Sequence, residues 1–432
     1  MKKILGSLLA VCALVAASAA GAAQPAAVVK NYADIAQANY EDALAGAQKL
    51  QLAVAQLLKA PGPDALQAAR QAWIDARVPY QQTEAFRFGN PIVDAWEGGV
   101  NAWPLDEGMI DYVDASYGTD SDLNAYYVVN VIANPQLKIS GKTVDASQIT
   151  PELLRDVLHE ADGNEANVAT GYHAVEFLLW GQDLNGTGPA PAGATGSPQA
   201  RHAGNRPYTD FDLANCTGGN CDRRARYLQV VTQMLVDDLK EMVSYWQPGG
   251  KAREAVQADA KTGLVAMLTG LGSLSYGELA GERIKLGLIL HDSEEEHDCF
   301  SDNTHNAHYY NQVGMMNVYL GRYERTEGGA IEGPSVSDLV RTVDPALDEE
   351  MRARLQSTQA AMEVMRDRAR NIETYDQMIA QGNAEGNAVI QAIVDQLVAQ
   401  TRTIERVITA LDLGGVQIEG SDSLDAPGAV FQ

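Results

Sequence analysis

The chain has 432 residues, 46% of them apolar, and a formal net charge of −25. Such acidity argues against nucleic acid and anionic membrane surfaces as partners, and it either concentrates cations or simply keeps the surface soluble. The length exceeds what one hydrophobic core usually serves, which predicts two domains.

Residues 1–23 read as an export signal. Lys2 and Lys3 form a basic start, Ile4 to Val15 an apolar segment, and Ala17-Ser18-Ala19 or Gly21-Ala22-Ala23 a small-residue cleavage site. The apolar part is too short for a membrane span. Val11 is the wrong size to precede a lipidated Cys12, so Cys12 is expected to leave with the signal. No later stretch is long and apolar enough to cross a bilayer. The mature chain is expected to be exported without a transmembrane segment, and loss of Lys2 and Lys3 takes its charge to −27.

Helical periodicity dominates the rest of the chain. Asn31 to Leu58 and Pro63 to Phe88 carry apolar residues at three- and four-residue intervals, separated by Ala60-Pro61-Gly62-Pro63. Lys138 to Val144 is the single short strand candidate. Asp222 to Trp246 is amphipathic and ends at Gln247-Pro248-Gly249-Gly250. Ala252 to Leu290 reads as another long helix, broken around Gly270 to Gly277, and Leu347 to Thr374 and Asn387 to Leu411 complete the set. The fold class is all-α.

The order of elements predicts an internal duplication. Tyr80 to Arg87 occupies the place in the first half that Tyr276 to Arg283 holds in the second. The Gly/Pro-rich connection from Gly186 to Pro207 places the boundary just beyond it, giving helical bundles over 24–215 and 216–432. Cys216 and Cys221 bracket a flexible Thr-Gly-Gly-Asn loop that could close as a disulfide in an oxidising compartment. Cys299 is left over, as a soft ligand or an inert buried thiol.

Three constellations could carry chemistry. In Gly171-Tyr172-His173-Ala174-Val175-Glu176, a His and a Glu three residues apart project from one side of a helix, among Val175, Phe177, Leu178, Leu179 and Trp180. Desolvating such a pair is costly, and a metal ion is the partner best suited to it. The second runs from His291 to His308 and packs four of the chain's seven histidines among carboxylates. Read as a helix, it puts His291, Glu295, Asp298, Asp302 and His305 near one stripe, either a hard-metal site or a solvated acidic helix end. Glu294-x-x-His297 has the spacing of di-iron bundles, but His173 precedes Glu176, the reverse order.

The third constellation is Glu84 with Asp106 and Glu107. Glu84 sits among Ala85, Phe86 and Phe88, where it must either ligate or pair with Arg77 or Arg87. Asp106 or Glu107 could equally cap a helix. His159 and His202 lie in polar, loop-like contexts with no expected chemistry. Zinc-dependent peptide hydrolysis would need a base near bound water, for which Glu84 or Glu296 are candidates.

Together, GYHAVEFLLWGQD, TEAFRFGN, NAWPLDEGMIDYV and HDSEEEHDCFSDNTH resemble the imelysin family, whose hallmark is G-x-H-x-x-E, in its insulin-cleaving metalloprotease branch. The resemblance runs over nearly the whole mature chain. It implies a periplasmic or outer-membrane-associated protein of two duplicated helical bundles, linked to iron acquisition. The implied metal is iron, with zinc as the alternative, and the implied partner an inner- or outer-membrane iron-uptake component. By motif, His173 and Glu176 are the central pair, with Glu84 and Asp106 as the carboxylates that meet them. Glu296, His297, Asp302 and His305 fall in the branch's second block. No cupredoxin-like domain or usable lipobox accompanies them. An exported iron-binding protein is thus the leading expectation, and a zinc metallopeptidase cleaving exported polypeptides the alternative.

Overall fold

The computed structural model describes residues 23–431, so the segment read as an export signal lies outside the described residues apart from Ala23. The first two helices are α1 (Pro25–Lys59) and α2 (Pro63–Gln81), each opened by a proline whose fixed φ and missing N–H suit a first turn. They pack along one another, and α2 tightens into a 3₁₀ turn over Gln82–Phe86. Asn90 caps α3 (Pro91–Asn101) by accepting a hydrogen bond from the Ile92 amide at 3.2 Å. A two-stranded hairpin comes next, β1 (Gln136–Ile139) against β2 (Lys142–Asp145), in the register Leu137↔Val144.

Helix α4 (Gly171–Trp180) is buried at all of its residues, as a helix apolar on every side must be. Helix α5 (Cys221–Trp246) packs against α1 and α4. It lies just beyond the boundary read at residues 215/216 and packs chiefly against helices that precede that boundary. The Cys216–Cys221 disulfide is formed just before it.

Helix α6 (Ala260–Ser273) does not break near its glycines. It widens into a π-helical stretch over Leu274–Lys285 and continues to Leu290. A side chain on Gly270 would run into the Ala85 carbonyl, so glycine there lets α6 approach the 3₁₀ turn. The remaining long helices are α7 (Thr304–Leu320), α8 (Pro345–Asn371) and α9 (Ala384–Ala410). A second hairpin, β3 (Arg322–Glu324) with β4 (Ala330–Glu332), comes after α7. Helices α3 and α7 and this hairpin have no counterpart in the sequence reading. The buried apolar residues form one connected cluster reaching from Val28 to Leu413.

The segment from His291 to Asn303 corrects the helical stripe drawn from its sequence. His291 has φ +55° and ends the preceding helix, and Asp302 has φ +51°. Apart from a 3₁₀ turn at Ser293–Glu295, the chain is irregular until Thr304. That irregular course is what lets one short segment deliver side chains in several directions.

Candidate metal centre

The position of α4 is set at its first residue. Gly171 has φ +81°, and a Cβ there would fall inside the Val100 backbone at the end of α3. The glycine of the G-x-H-x-x-E pattern thus seats α4 against α3. Two residues on, His173 and Glu176 face each other, with Nδ1 and Oε2 3.0 Å apart and both side chains buried. The other carboxylate oxygen of Glu176 accepts two hydrogen bonds from Ser301, 2.9 Å from its amide and 2.7 Å from its hydroxyl. Glu176 therefore spends both oxygens on protein partners, and one of them fixes the imidazole. The remaining ring nitrogen, His173 Nε2, is buried and has no hydrogen-bond partner.

A second histidine stands beside the first. The His297 and His173 rings are 4.9 Å apart and nearly perpendicular, at 86°. His297 Nδ1 lies 3.1 Å from Asp298 Oδ1 and 3.2 Å from Arg77 Nη2, so the aspartate and the guanidinium share that edge of the ring. Ligand atoms of His173, His297 and Asp298 lie within 4.8 Å of one another. Asp298 is shared with Arg77 of α2, which reaches its two oxygens at 2.6 and 3.3 Å. Arg77 also donates to Asn101 at 2.6 Å and sits over the rings of Trp73, Tyr80 and Tyr172. Four regions of the chain (α2, α3, α4 and the 297–301 segment) thus converge here.

Burial governs the protonation states. It pushes both His173 and His297 well below the usual imidazole range, with Arg77 adding to the effect on each. Burial, and then the Asp298 charge, pushes Glu176 well above the carboxylate range. Burial would raise Asp298 too, but Arg77 holds it below its ordinary value. Burial thus favours the neutral forms of His173, His297 and Glu176, with Asp298 ionised against Arg77. Two imidazoles and the Asp298 carboxylate, with atoms within 4.8 Å of one another, form a donor set that fits a first-row metal ion.

The other sequence candidates lie elsewhere. Glu84 does not join His173: it accepts from Arg283 at 2.7 Å, and Arg283 also binds Glu278. The pairing with Arg77 or Arg87 expected from the sequence gives way to this arginine; Arg87 approaches only to 4.0 Å. Asp106 also stays apart. It begins a single helical turn over Glu107–Ile110 without capping it and is bound by Asn124. His305 is buried beside Asn306 and pushed down to about 3 by burial. Glu296 is buried and pushed up by burial and by Asp376. Asp302 lies with Asp183, Asp376 and His202, a histidine whose loop-like sequence context carries no sign of chemistry. Cys299 is free, and burial raises its thiol well above the usual range, the inert alternative.

A cleft of about 410 Å³ opens next to the centre. Its walls carry Glu97, Glu160, Glu165, Glu278, Glu282 and Glu295 against the single arginine Arg87. Asn101 and Trp103 also line it and touch His297, with Asn101 Nδ2 at 3.4 Å from Nε2 and the rings of Trp103 and His297 at 5.2 Å. The negative walls raise the local concentration of cations beside the histidines.

The sequence profile of the imelysin family matches residues 36–404. This chain belongs to the imelysin family. Among curated proteins, iron-regulated protein A of Synechococcus elongatus is 40% identical over 68 residues, a stretch spanning 16% of this imelysin and 19% of that relative. A crystal structure of a protein named as an iron-regulated protein A precursor, from Parabacteroides distasonis, superposes with a TM-score of 0.62 at 17% identity, covering 91% of this chain and 97% of that one. An imelysin-like protein from Psychrobacter arcticum gives 0.58 at 16% identity, covering 91% and 99%. At such identity the likeness is one of fold. Among the described residues, no helix of this imelysin is long and apolar enough to cross a membrane.

Proposed function

We propose that this imelysin is an exported, periplasmic iron-binding protein of iron acquisition, holding the ion at His173 with His297 as the second imidazole. The single observation that carries the reading is His173 Nε2: a buried ring nitrogen without a partner, on an imidazole whose other nitrogen Glu176 holds in place. Glu176 acts as the orienting carboxylate, Asp298 joins the donor set, and the acidic cleft at Trp103 is the entry for the cation. The name of the Synechococcus relative supports iron over other metals. The export signal read in residues 1–23, the duplicated two-bundle plan and an iron-uptake partner at a membrane belong to the same reading.

Burial favours binding over peptide hydrolysis. His173, Glu176 and His297 are at most 2% exposed, where an extended polypeptide needs an open groove beside the metal. The test is an anaerobic Fe²⁺ titration of full-length, metal-stripped protein. His173→Ala should lose the equivalent bound here with its helical circular dichroism unchanged. Equal iron uptake by the variant and the parent would refute the reading.

A further inference from the structure

A second set of buried ligand atoms lies one residue beyond the segment that serves the first. Ser301 binds Glu176, and the next residue, Asp302, joins Asp183, His202 and Asp376, with ligand atoms within 4.8 Å of one another. We infer that these four residues form a second cation site, distinct from the His173 centre, which takes a divalent first-row metal ion of the Fe²⁺ class.

The tautomer of His202 is the first argument. Its Nε2 lies 2.9 Å from the Gly188 carbonyl, which can only accept, so Nε2 carries a proton. In the neutral ring the lone pair is then on Nδ1. That atom faces Asp376 Oδ2 at 3.0 Å and Asp302 Oδ2 at 3.7 Å, and neither approach has hydrogen-bond geometry. A lone pair aimed at two carboxylates is repulsive unless a proton or a metal cation lies among them.

The carboxylates make the second argument. Asp302 is 1% exposed, and neither of its oxygens has a hydrogen-bond partner. Asp376 is fully buried; one oxygen is held by Thr374 and the Gln377 amide, and the other is unpartnered and turned toward His202. Asp183 is braced by the amides of Asn185 at 2.9 Å and Gly186 at 3.1 Å. The largest charge effects on Asp302 come from Asp376, Asp183, Glu296 and Glu176, all acidic, with His202 3.7 Å away as the neighbour that can turn positive. A protonated His202 would balance one of the three aspartates, and Asp302 could then stay buried only by holding a proton, the place a cation takes. At the first centre Arg77 supplies the counter-charge; here a bound cation does.

The donor set selects the ion. Three carboxylates and one imidazole, without a thiolate, suit Fe²⁺ or Mn²⁺, while the imidazole disfavours an all-oxygen calcium site. The orienting bonds from Gly188, Thr374 and the Asn185 and Gly186 amides are the supporting shell such a site requires.

The experiment is anaerobic equilibrium dialysis of full-length, metal-stripped protein against Fe²⁺, with excess Ca²⁺ as competitor. Parent protein should hold two equivalents that Ca²⁺ does not displace. Asp302→Asn/Asp376→Asn should hold one, and His173→Ala the other. Asparagine is isosteric and tolerates the φ of +51° at position 302, so the variant should fold. Asp183→Asn, on the partly exposed loop, is the second variant should it not, and should weaken the same equivalent at least tenfold. An unchanged Fe²⁺ stoichiometry in the aspartate variants, or displacement of their equivalent by Ca²⁺, overturns the inference and leaves the His173 reading standing. Loss in the aspartate variants with no loss in His173→Ala upholds this site and removes the other.

Discussion

Ser301 grips Glu176 with both its amide and its hydroxyl, across 125 residues of sequence. Through this contact the irregular 291–303 segment fixes the carboxylate that fixes His173. Ser301→Ala would remove one of the two bonds and leave the amide. Loosened in this way, Glu176 should orient His173 less well, and Fe²⁺ affinity should fall about tenfold, or about 1.4 kcal/mol. Calorimetric titration beside the parent checks it, with the melting temperature as the control for stability.

Arg77 is fully buried with Asp298 and carries the positive charge next to both imidazoles. Arg77→Met leaves Asp298 buried without its counter-charge, held only by Asn303 at 2.8 Å, and should cost about 3–5 kcal/mol. Adding Asp298→Asn should restore part of that loss. A double-mutant cycle by urea denaturation measures the coupling.

Glu84→Gln separates ligation from structure. Glu84 belongs to the Arg283 network, so the substitution should lower stability by roughly 1–3 kcal/mol and leave Fe²⁺ stoichiometry unchanged. A lost equivalent of iron would return Glu84 to the ligand set its sequence motif implied.

Stability should rise on mild acidification. Burial pushes Glu97 and Glu107 each up to about 7 and Asp183 up to about 6. Glu176, Glu296 and Asp302 are raised as well, burial being the largest cause for each. For a carboxyl group with a raised folded pKa, the native state holds the proton where the unfolded chain has released it. The stability it contributes is complete below the unfolded pKa and is lost as pH rises through the folded one. Metal-free protein should therefore melt higher at pH 7 than at pH 8, by about 1.4 kcal/mol per pH unit for each extra bound proton. This window lies above the range in which the buried His173, His297, His305 and His308, all pushed down, would oppose the trend. Saturating Fe²⁺ should reduce the slope, because the ion replaces protons at Glu176, Asp183 and Asp302, while Glu97 and Glu107 keep theirs. Differential scanning calorimetry with and without chelator reads both.

How much of the fold and the site is legible in the sequence depends on the range of the interaction. The proline at 63, apolar periodicity and the Gly249-Gly250 stop act locally, and α1, α2 and α5 are where such signals put them. The His173–Glu176 contact is equally local, one helical turn. The stripe from His291 to His305 misleads because its regular spacing gives no sign of the left-handed turns at His291 and Asp302. Arg283 reaches Glu84 across 199 residues, and Arg77 reaches Asp298 across 221. No spacing rule encodes such pairs. His202 escapes notice because a Gly/Pro-rich stretch looks like solvent-exposed loop, yet the fold buries it against aspartates 100 and 174 residues away.

The central claim is that His173 Nε2, oriented by Glu176, takes an iron ion. Crystals of the Fe²⁺-soaked protein, measured on both sides of the iron absorption edge, test it most directly. The account predicts an anomalous peak within bonding distance of His173 Nε2 and beside His297, absent from His173→Ala crystals treated identically. Iron peaks elsewhere with none at His173, or the same peak in the variant, would contradict it.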